Sequence, residues 1–262
     1  MKYSACIEML FPEVPFLDRI AKAKVNGFSH VEFWLWQGKD LEAIGERLER
    51  TGLKIGVFQG NTRGRMVDPA DRNLYCDGVR ESLGVAKKLG AKNLFCMTDI
   101  LREDRTVEPA RRPLSDAQKE EAVVAVLREL GPEAERAGVT LLCEPLNTLV
   151  DHAGYFVEHS AIAWRIHDRV NHPRAKVLYD AYHMQIMEGN LISTIEAHAK
   201  AIGYFHVADV PGRHEPGTGE INYRNVARAL ESAGYDGVVG FEFIPTVATE
   251  VALKEARLAF GF

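Results

Sequence analysis

Four short apolar segments of the chain each end in a side chain that can ligate a metal ion. The segments are residues 139–144, 175–180, 204–206 and 237–242, and the side chains are Glu144, Asp180, His206 and Glu242. Their β-branched and aromatic residues, flanked by turn formers, predict buried strands of a parallel sheet. Because the carboxyl ends of parallel strands in a barrel open onto one face, we expect three carboxylates and one imidazole to converge there.

The composition of this cluster indicates a site for a hard divalent cation. A single acidic residue at a strand end more often caps a helix or joins a surface ion pair. Four such residues in successive strands favour a metal site, because clustered carboxylates repel one another unless a cation or a proton lies among them. Two Glu, one Asp and one His suit Mn²⁺, Mg²⁺ or Co²⁺ better than a Cys-rich set would.

Further positions are candidates for substrate binding. His183 could be a second ligand, a hydrogen-bond donor to the substrate or the start of a helix; the donor role is favoured because Asp180 already supplies a ligand from that strand. Arg213 and His214 precede a Gly-Thr-Gly turn, and the guanidinium of Arg213 offers paired donors for a carboxylate. Trp34 and Trp36 end the second predicted strand, where they could form an aromatic wall for a sugar-like substrate, or at least one of them could pack in the core.

The remaining histidines and the cysteines are predicted to have structural rather than catalytic roles. Histidines in polar or helical segments are expected at the surface, namely His152, His159, His167, His172 and His198. The cysteines lack CxxC spacing and are expected to be buried free thiols, namely Cys6, Cys76, Cys96 and Cys143. A catalytic thiol at Cys143 is the alternative, although its side chain should point away from that of its neighbour Glu144 on a strand.

Strand-like and helix-like patterns alternate about eight times along the chain. The predicted strands are 4–9, 29–33, 54–58, 93–97, 139–143, 176–179, 203–207 and 238–243. This count in 262 residues predicts an α/β fold with a single (β/α)8 TIM barrel spanning 1–262, with an open doubly wound sheet as the alternative. Two longer loops, 59–72 and 97–115, follow strands and should overhang the same face as the carboxylates.

Composition limits the classes of partner. The net charge of -5 and pI near 6.0 argue against nucleic acid as the main partner. No apolar run is long enough for a membrane span, and the first residues lack a signal-peptide pattern, so we expect a cytoplasmic protein that does not bind membranes. We further expect a homo-oligomer that acts on a small-molecule substrate.

Several motifs resemble the hydroxypyruvate isomerase family, which lies within the xylose-isomerase-like barrel superfamily. They are MLF (9–11), VPFL (14–17), CEPLN (143–147), YHMQIM (182–187) and PGRHEPGTGEIN (211–222), and the resemblance runs nearly end to end. It implies a TIM barrel whose divalent metal is held by Glu144, Asp180, His206 and Glu242. It also implies that Glu144 and Glu242 serve as the catalytic acid and base.

The resemblance implies an isomerase of a small hydroxy-oxo acid that interconverts hydroxypyruvate and tartronate semialdehyde through an enediolate. Hydroxypyruvate isomerases typically carry Gln where His206 stands, whereas ketose 3-epimerases carry His, so a ketose 3-epimerase is the main alternative. An inosose-type dehydratase is a weaker one. Endonuclease IV shares the barrel but uses several metal ions with many His ligands, which this acidic chain does not match. A non-catalytic sugar-binding module would not need two opposed Glu on a metal.

Overall fold

The computed structural model describes residues 1–61 and 63–261; Thr62, which belongs to the first predicted loop, and Phe262, the last residue of the predicted domain, lie outside them. The strands are β1 Lys2–Cys6, β2 His30–Glu32, β3 Lys54–Ile55, β4 Phe58–Gln59, β5 Asn93–Cys96, β6 Thr140–Cys143, β7 Ala175–Asp180, β8 Ile202–Val207 and β9 Val238–Phe241. Each predicted strand overlaps one observed strand, apart from 54–58, which overlaps both β3 and the start of β4.

Helices separate the strands in alternation. They are α1 Phe16–Val25, α2 Leu41–Thr51, α3 Arg72–Leu89, α4 Asp116–Ala137, α5 Ser160–Val170, α6 Ala181–Met187, α7 Leu191–His198, α8 Tyr223–Ser232 and α9 Thr249–Phe260, with a 3₁₀ turn at Pro69–Asp71. Local sequence signals set several of their ends. Ser115 and Gln118 form a capping box at the start of α4, and Gly90 ends α3 in the left-handed conformation that glycine adopts without strain.

The parallel sheet closes into a barrel through its third strand, which is split in two. The hydrogen-bonded order is β3-β2-β1-β9-β8-β7-β6-β5-β4, and β3 and β4 are separated only by Gly56 and Val57. The prediction of one continuous strand over 54–58 was therefore wrong. Backbone pairing passes from β2 to β5 across this short break. Counting β3 and β4 as one barrel strand gives eight, which confirms the (β/α)8 barrel and excludes the open sheet.

Apolar side chains fill the space between the barrel and its helices. All four cysteines are buried and free, as predicted. Burial raises the pKa of the Cys143 thiol far above its usual value, which removes the thiolate that a catalytic cysteine needs. Within residues 1–61 and 63–261, no helix combines the length and apolar character needed to cross a bilayer.

The two long loops cover the carboxyl ends of the strands and are tied to each other. Arg111 Nη1 lies 2.7 Å from Asp71 Oδ1, and Arg65 Nη2 lies 3.0 Å from Glu108 Oε2. Both pairs join the loop after β4 to the loop after β5. These loops therefore form one connected cover on the face where the predicted ligands lie.

Candidate active site

The structure brings the four predicted metal ligands together at the carboxyl end of the barrel. Glu144 directly follows β6, Asp180 ends β7, His206 lies in β8 and Glu242 directly follows β9. Each offers one ligand atom, and these four atoms lie within 4.8 Å of one another. His206 Nδ1 is 3.6 Å from a Glu144 oxygen and 3.3 Å from Glu242 Oε2. All four residues are buried.

This cluster fits a divalent cation. Three carboxylates share one buried space, where mutual repulsion is costly unless positive charge lies among them. His206 Nδ1 is buried and has no hydrogen-bond partner among the described residues, so its ring offers a ligand atom to the same point. These residues could therefore hold Mn²⁺, Mg²⁺ or Co²⁺, the hard to borderline ions that such oxygen-rich sets prefer.

The two glutamates differ in electrostatic surroundings. Burial, reinforced by the charges of Glu242 and Asp180, raises the pKa of Glu144 above its usual value. Burial would also raise the pKa of Glu242, but the neighbouring Arg213 and His206 outweigh it and lower that pKa. Two carboxyl groups with pKa values pushed in opposite directions are typical of acid and base pairs in active sites.

Arg213 lies beside the carboxylate cluster rather than out in solvent. Its Nη2 is 2.6 Å from Glu242 Oε2 and 3.8 Å from Asp180 Oδ2. The guanidinium carbon also lies 5.2 Å from the centre of the Tyr182 ring. Arg213 lines the cavity described below, so the structure places it next to both the cluster and the space for a substrate.

Trp34 binds the carboxylate oxygen of Glu242 that Arg213 does not contact. Its indole Nε1 donates to Glu242 Oε1 at 2.7 Å, and its side chain lines the cavity. Trp36, two residues later, donates instead to Ser82 Oγ at 2.8 Å and does not line the cavity. The two tryptophans therefore have different surroundings, and Trp34 is the candidate for the predicted aromatic wall.

His183 presents a hydrogen-bond donor to the site. Its Nδ1 accepts from the backbone N–H of Asn147 at 3.1 Å and lies 2.7 Å from the Asn147 side-chain nitrogen. Burial lowers the pKa of His183 well below its usual value, so the ring is neutral and its single proton is on Nε2. That Nε2 is buried, has no hydrogen-bond partner among the described residues and lies 3.6 Å from Asp180 Oδ2.

The positions of two other histidines differ from those expected from the sequence. His152 was predicted at the surface, which is wrong: it is 7% exposed, lines the cavity and has its ring centre 5.3 Å from that of His183. The loop after β6 folds inward there, and no periodic pattern marks this. His214, by contrast, does not line the cavity; its Nδ1 lies 2.8 Å from the carbonyl oxygen of Ile244.

A cavity of about 470 Å³ opens above the cluster. Its wall is mainly apolar and includes Met9, Leu35, Phe95, Met97 and Leu146. The loops after β4 and β5 add basic side chains, namely Arg63, Arg102 and Arg105. A mainly apolar cavity with few convergent polar groups is the usual form of a small-molecule site.

Sequence reasoning missed Glu32, a buried residue beneath the cluster. It ends β2, and its Oε1 lies 3.1 Å from His206 Nε2. The signal in the sequence was weak, because the polar residues Ser29 and His30 precede Val31 and Glu32, so no apolar run ends at Glu32.

Comparison with known proteins places this architecture in a family. Residues 20–259 match the family described as xylose isomerase-like TIM barrel. The chain belongs to the xylose isomerase-like TIM barrel family. This confirms the superfamily expected from the sequence motifs.

Relatives in this family cover nearly the whole chain. The hydroxypyruvate isomerase of Escherichia coli (strain K12) is 34% identical over 261 residues, with 97% of each chain covered. The 2-oxo-tetronate isomerase of Cupriavidus necator is 30% identical over 262 residues, with 96% of each covered. The crystal structure of the AP endonuclease, family 2, from Brucella melitensis superposes with a TM-score of 0.87 at 33% identity and covers 96% of each chain. This xylose isomerase-like barrel is therefore a hydroxypyruvate isomerase-like enzyme.

Proposed function

We propose that the protein is a metal-dependent isomerase that interconverts hydroxypyruvate and tartronate semialdehyde. One observation carries the proposal: Glu144 and Glu242 belong to the buried ligand cluster and also line the cavity, together with the donor His183. The relatives named hydroxypyruvate isomerase and 2-oxo-tetronate isomerase support the substrate class, since both names describe small hydroxy-oxo acids.

The reaction moves one carbon-bound proton between neighbouring carbons. A carboxylate takes the proton from C3 of hydroxypyruvate, and the C–H electron pair forms the C2–C3 double bond of an enediolate. Return of a proton to C2, together with transfer of the C3 hydroxyl proton to the oxygen on C2, gives the aldehyde and the new hydroxyl of tartronate semialdehyde. Glu144 and Glu242 share these transfers, because both carboxylates face the cavity and positioned acid–base groups contribute about 10² to 10⁴ in rate.

Other residues of the site orient and stabilise the reacting groups. A divalent cation held by Glu144, Asp180, His206 and Glu242 would supply positive charge for the enediolate. His183 donates its Nε2 proton to a substrate oxygen, and its neutral ring does not compete for the carbon proton. Trp34 and Arg213 each bind one oxygen of Glu242 and so hold that carboxylate in place.

The cavity also favours a second, longer substrate of the same class. A volume of about 470 Å³ exceeds what a three-carbon acid needs, and basic side chains lie on the loops away from the cluster. A four-carbon 2-oxo acid would fill more of this space and could react by the same chemistry.

Ketose 3-epimerisation would use the same two glutamates but return the proton to its original carbon. His206 in the cluster keeps this reaction as the alternative.

Substitution of the two glutamates tests the proposal. E144Q and E242Q each remove a proton-transfer group with little change in shape, so turnover of hydroxypyruvate should fall by at least about 10². E120Q is a matched control, because Glu120 is also buried but pairs with Arg165 and Arg169 on the outer helices. Full activity in either E144Q or E242Q would rule out the proposed chemistry.

A further inference from the structure

Glu32 connects two polar side chains inside the barrel, beneath the ligand cluster. Its Oε1 lies 3.1 Å from His206 Nε2, and its Oε2 accepts a hydrogen bond from the hydroxyl of Tyr204. Tyr204 and His206 are two residues apart on β8 and therefore face the same side of the sheet. Glu32 is 2% exposed, so the carboxylate is withdrawn from solvent.

Two glycines make room for Glu32 and its partners: Gly240 lies on β9, and Gly56 lies in the break between β3 and β4. A Cβ atom at Gly240 would lie 2.5 Å from one Glu32 oxygen and 2.6 Å from the His206 ring. A Cβ atom at Gly56 would lie 2.3 Å from the Tyr204 hydroxyl. Contacts this short do not occur, so any larger residue at either position would displace the arrangement.

A carboxylate is a costly way to fill the inside of a barrel. Burial of a charge is unfavourable unless partners compensate it, and an apolar side chain of similar size would fill the space without that cost. Glu32 lies against His206, a residue of the predicted metal site, which indicates that the carboxylate serves that site.

The contact determines which nitrogen of His206 can carry a proton. A neutral imidazole has one N–H and one lone pair. The Glu32 oxygen 3.1 Å from Nε2 is a close charge contact that is not aligned as a hydrogen bond, and its negative charge favours the proton on Nε2. The lone pair is then on Nδ1, the atom that faces Glu144 and Glu242 at 3.6 and 3.3 Å. Carboxylates that fix the tautomer of a metal-binding histidine in this way are common partners of metal sites.

We propose that Glu32 is a positioning residue that holds His206 with Nε2 protonated and Nδ1 directed at the cation. The inference rests on the metal centre of the proposed function. It assigns Glu32 a role in metal affinity without contact to the metal or the substrate.

Metal affinity tests this role directly. Titration calorimetry of the full chain with Mn²⁺ should show that E32L binds about 10- to 100-fold more weakly than the unsubstituted protein. E32Q should lose less, because its amide oxygen can still accept the proton of His206. E120L is the matched control, since it removes a buried Glu remote from the site and should bind Mn²⁺ normally.

A spectroscopic measurement separates positioning from a general structural effect. In ¹⁵N-histidine-labelled protein loaded with diamagnetic Mg²⁺, His206 should carry its proton on Nε2, with the signal assigned by its loss in H206Q. If E32L does not fold, E32Q, which changes the shape of the side chain less, replaces it in the Mn²⁺ titration.

Several outcomes would overturn the inference. They are Mn²⁺ binding by E32L as tight as that of the unsubstituted protein, equal weakening in E32L and E120L, or a His206 proton on Nδ1 in the loaded protein. Failure of the unsubstituted protein to bind Mn²⁺, Mg²⁺ or Co²⁺ would instead overturn the proposed metal centre and this inference together.

Discussion

Arg213 and Glu242 form a buried ion pair in the site, with Nη2 of the arginine 2.6 Å from Oε2 of the glutamate. From the sequence, Arg213 was expected to clamp a substrate carboxylate. Its observed partner gives it a second effect, because its charge lowers the pKa of Glu242 against the opposing effect of burial. Arg213 thus keeps one of the two proposed acid–base groups ionised while it lines the substrate cavity.

Removal of this arginine should damage catalysis strongly. R213A leaves Glu242 without its closest cation and removes a donor from the cavity. The transition-state stabilisation measured by kcat/KM for hydroxypyruvate should therefore fall by about 2 to 4 kcal/mol. R213K keeps the charge but not the planar fork, and should recover only part of this loss. Steady-state kinetics at saturating metal would measure both. R224A, at an exposed position on α8, is the control. A loss below tenfold in R213A would contradict the role given to Arg213.

The indole of Trp34 should matter for rate through a single hydrogen bond. W34F keeps an aromatic wall but removes the N–H that binds Glu242 Oε1, a bond to a charged group worth about 1.5 to 3 kcal/mol. We expect kcat/KM to fall by roughly 10- to 100-fold. W36F removes the same group from a tryptophan that bonds to Ser82 outside the cavity, and should leave kinetics nearly unchanged. Equal effects in the two variants would show that the Trp34 contact is not specific.

His183 should act as a neutral donor to the substrate. H183L removes the Nε2 proton while keeping an apolar side chain of moderate size, and loss of one such donor typically lowers kcat by about 10² to 10³. H214L is the comparison, because His214 contacts a backbone carbonyl and does not line the cavity. Parallel rate measurements would show which histidine the reaction uses. A larger loss in H214L than in H183L would restore the substrate contact expected for His214 from the sequence alone.

The sequence predicted the parts of the site that depend on strand ends. Glu144, Asp180, His206 and Glu242 are far apart in the chain, yet each ends an apolar run, and closure of a parallel barrel brings such ends to one face. Glu32 ends β2 in the structure, but no apolar run marks it in the sequence, because Ser29 and His30 precede it. The barrel itself was predictable because its strands and helices alternate with clear periods.

Loop residues were not predictable in the same way. His152 lies in a connection with no hydrophobic period, so nothing in the sequence showed that this segment folds into the cavity. The partner of Arg213 depends on the path of the loop after β8, which tertiary packing determines. The space beside Gly56, at the break in the third strand, is occupied by the hydroxyl of Tyr204, a residue remote in the sequence, so local sequence does not reveal this contact.

The most direct test of the account is an isomerisation assay on protein stripped with a chelator and resupplied with Mg²⁺. NMR should show hydroxypyruvate converted to tartronate semialdehyde, and turnover should be absent until the metal is restored. A 2-oxo-tetronate and a ketohexose are tested beside it. Conversion of either oxo acid with metal dependence is the predicted result. Epimerisation of the ketohexose without turnover of the acids, or isomerisation that persists after the metal is removed, would contradict the account.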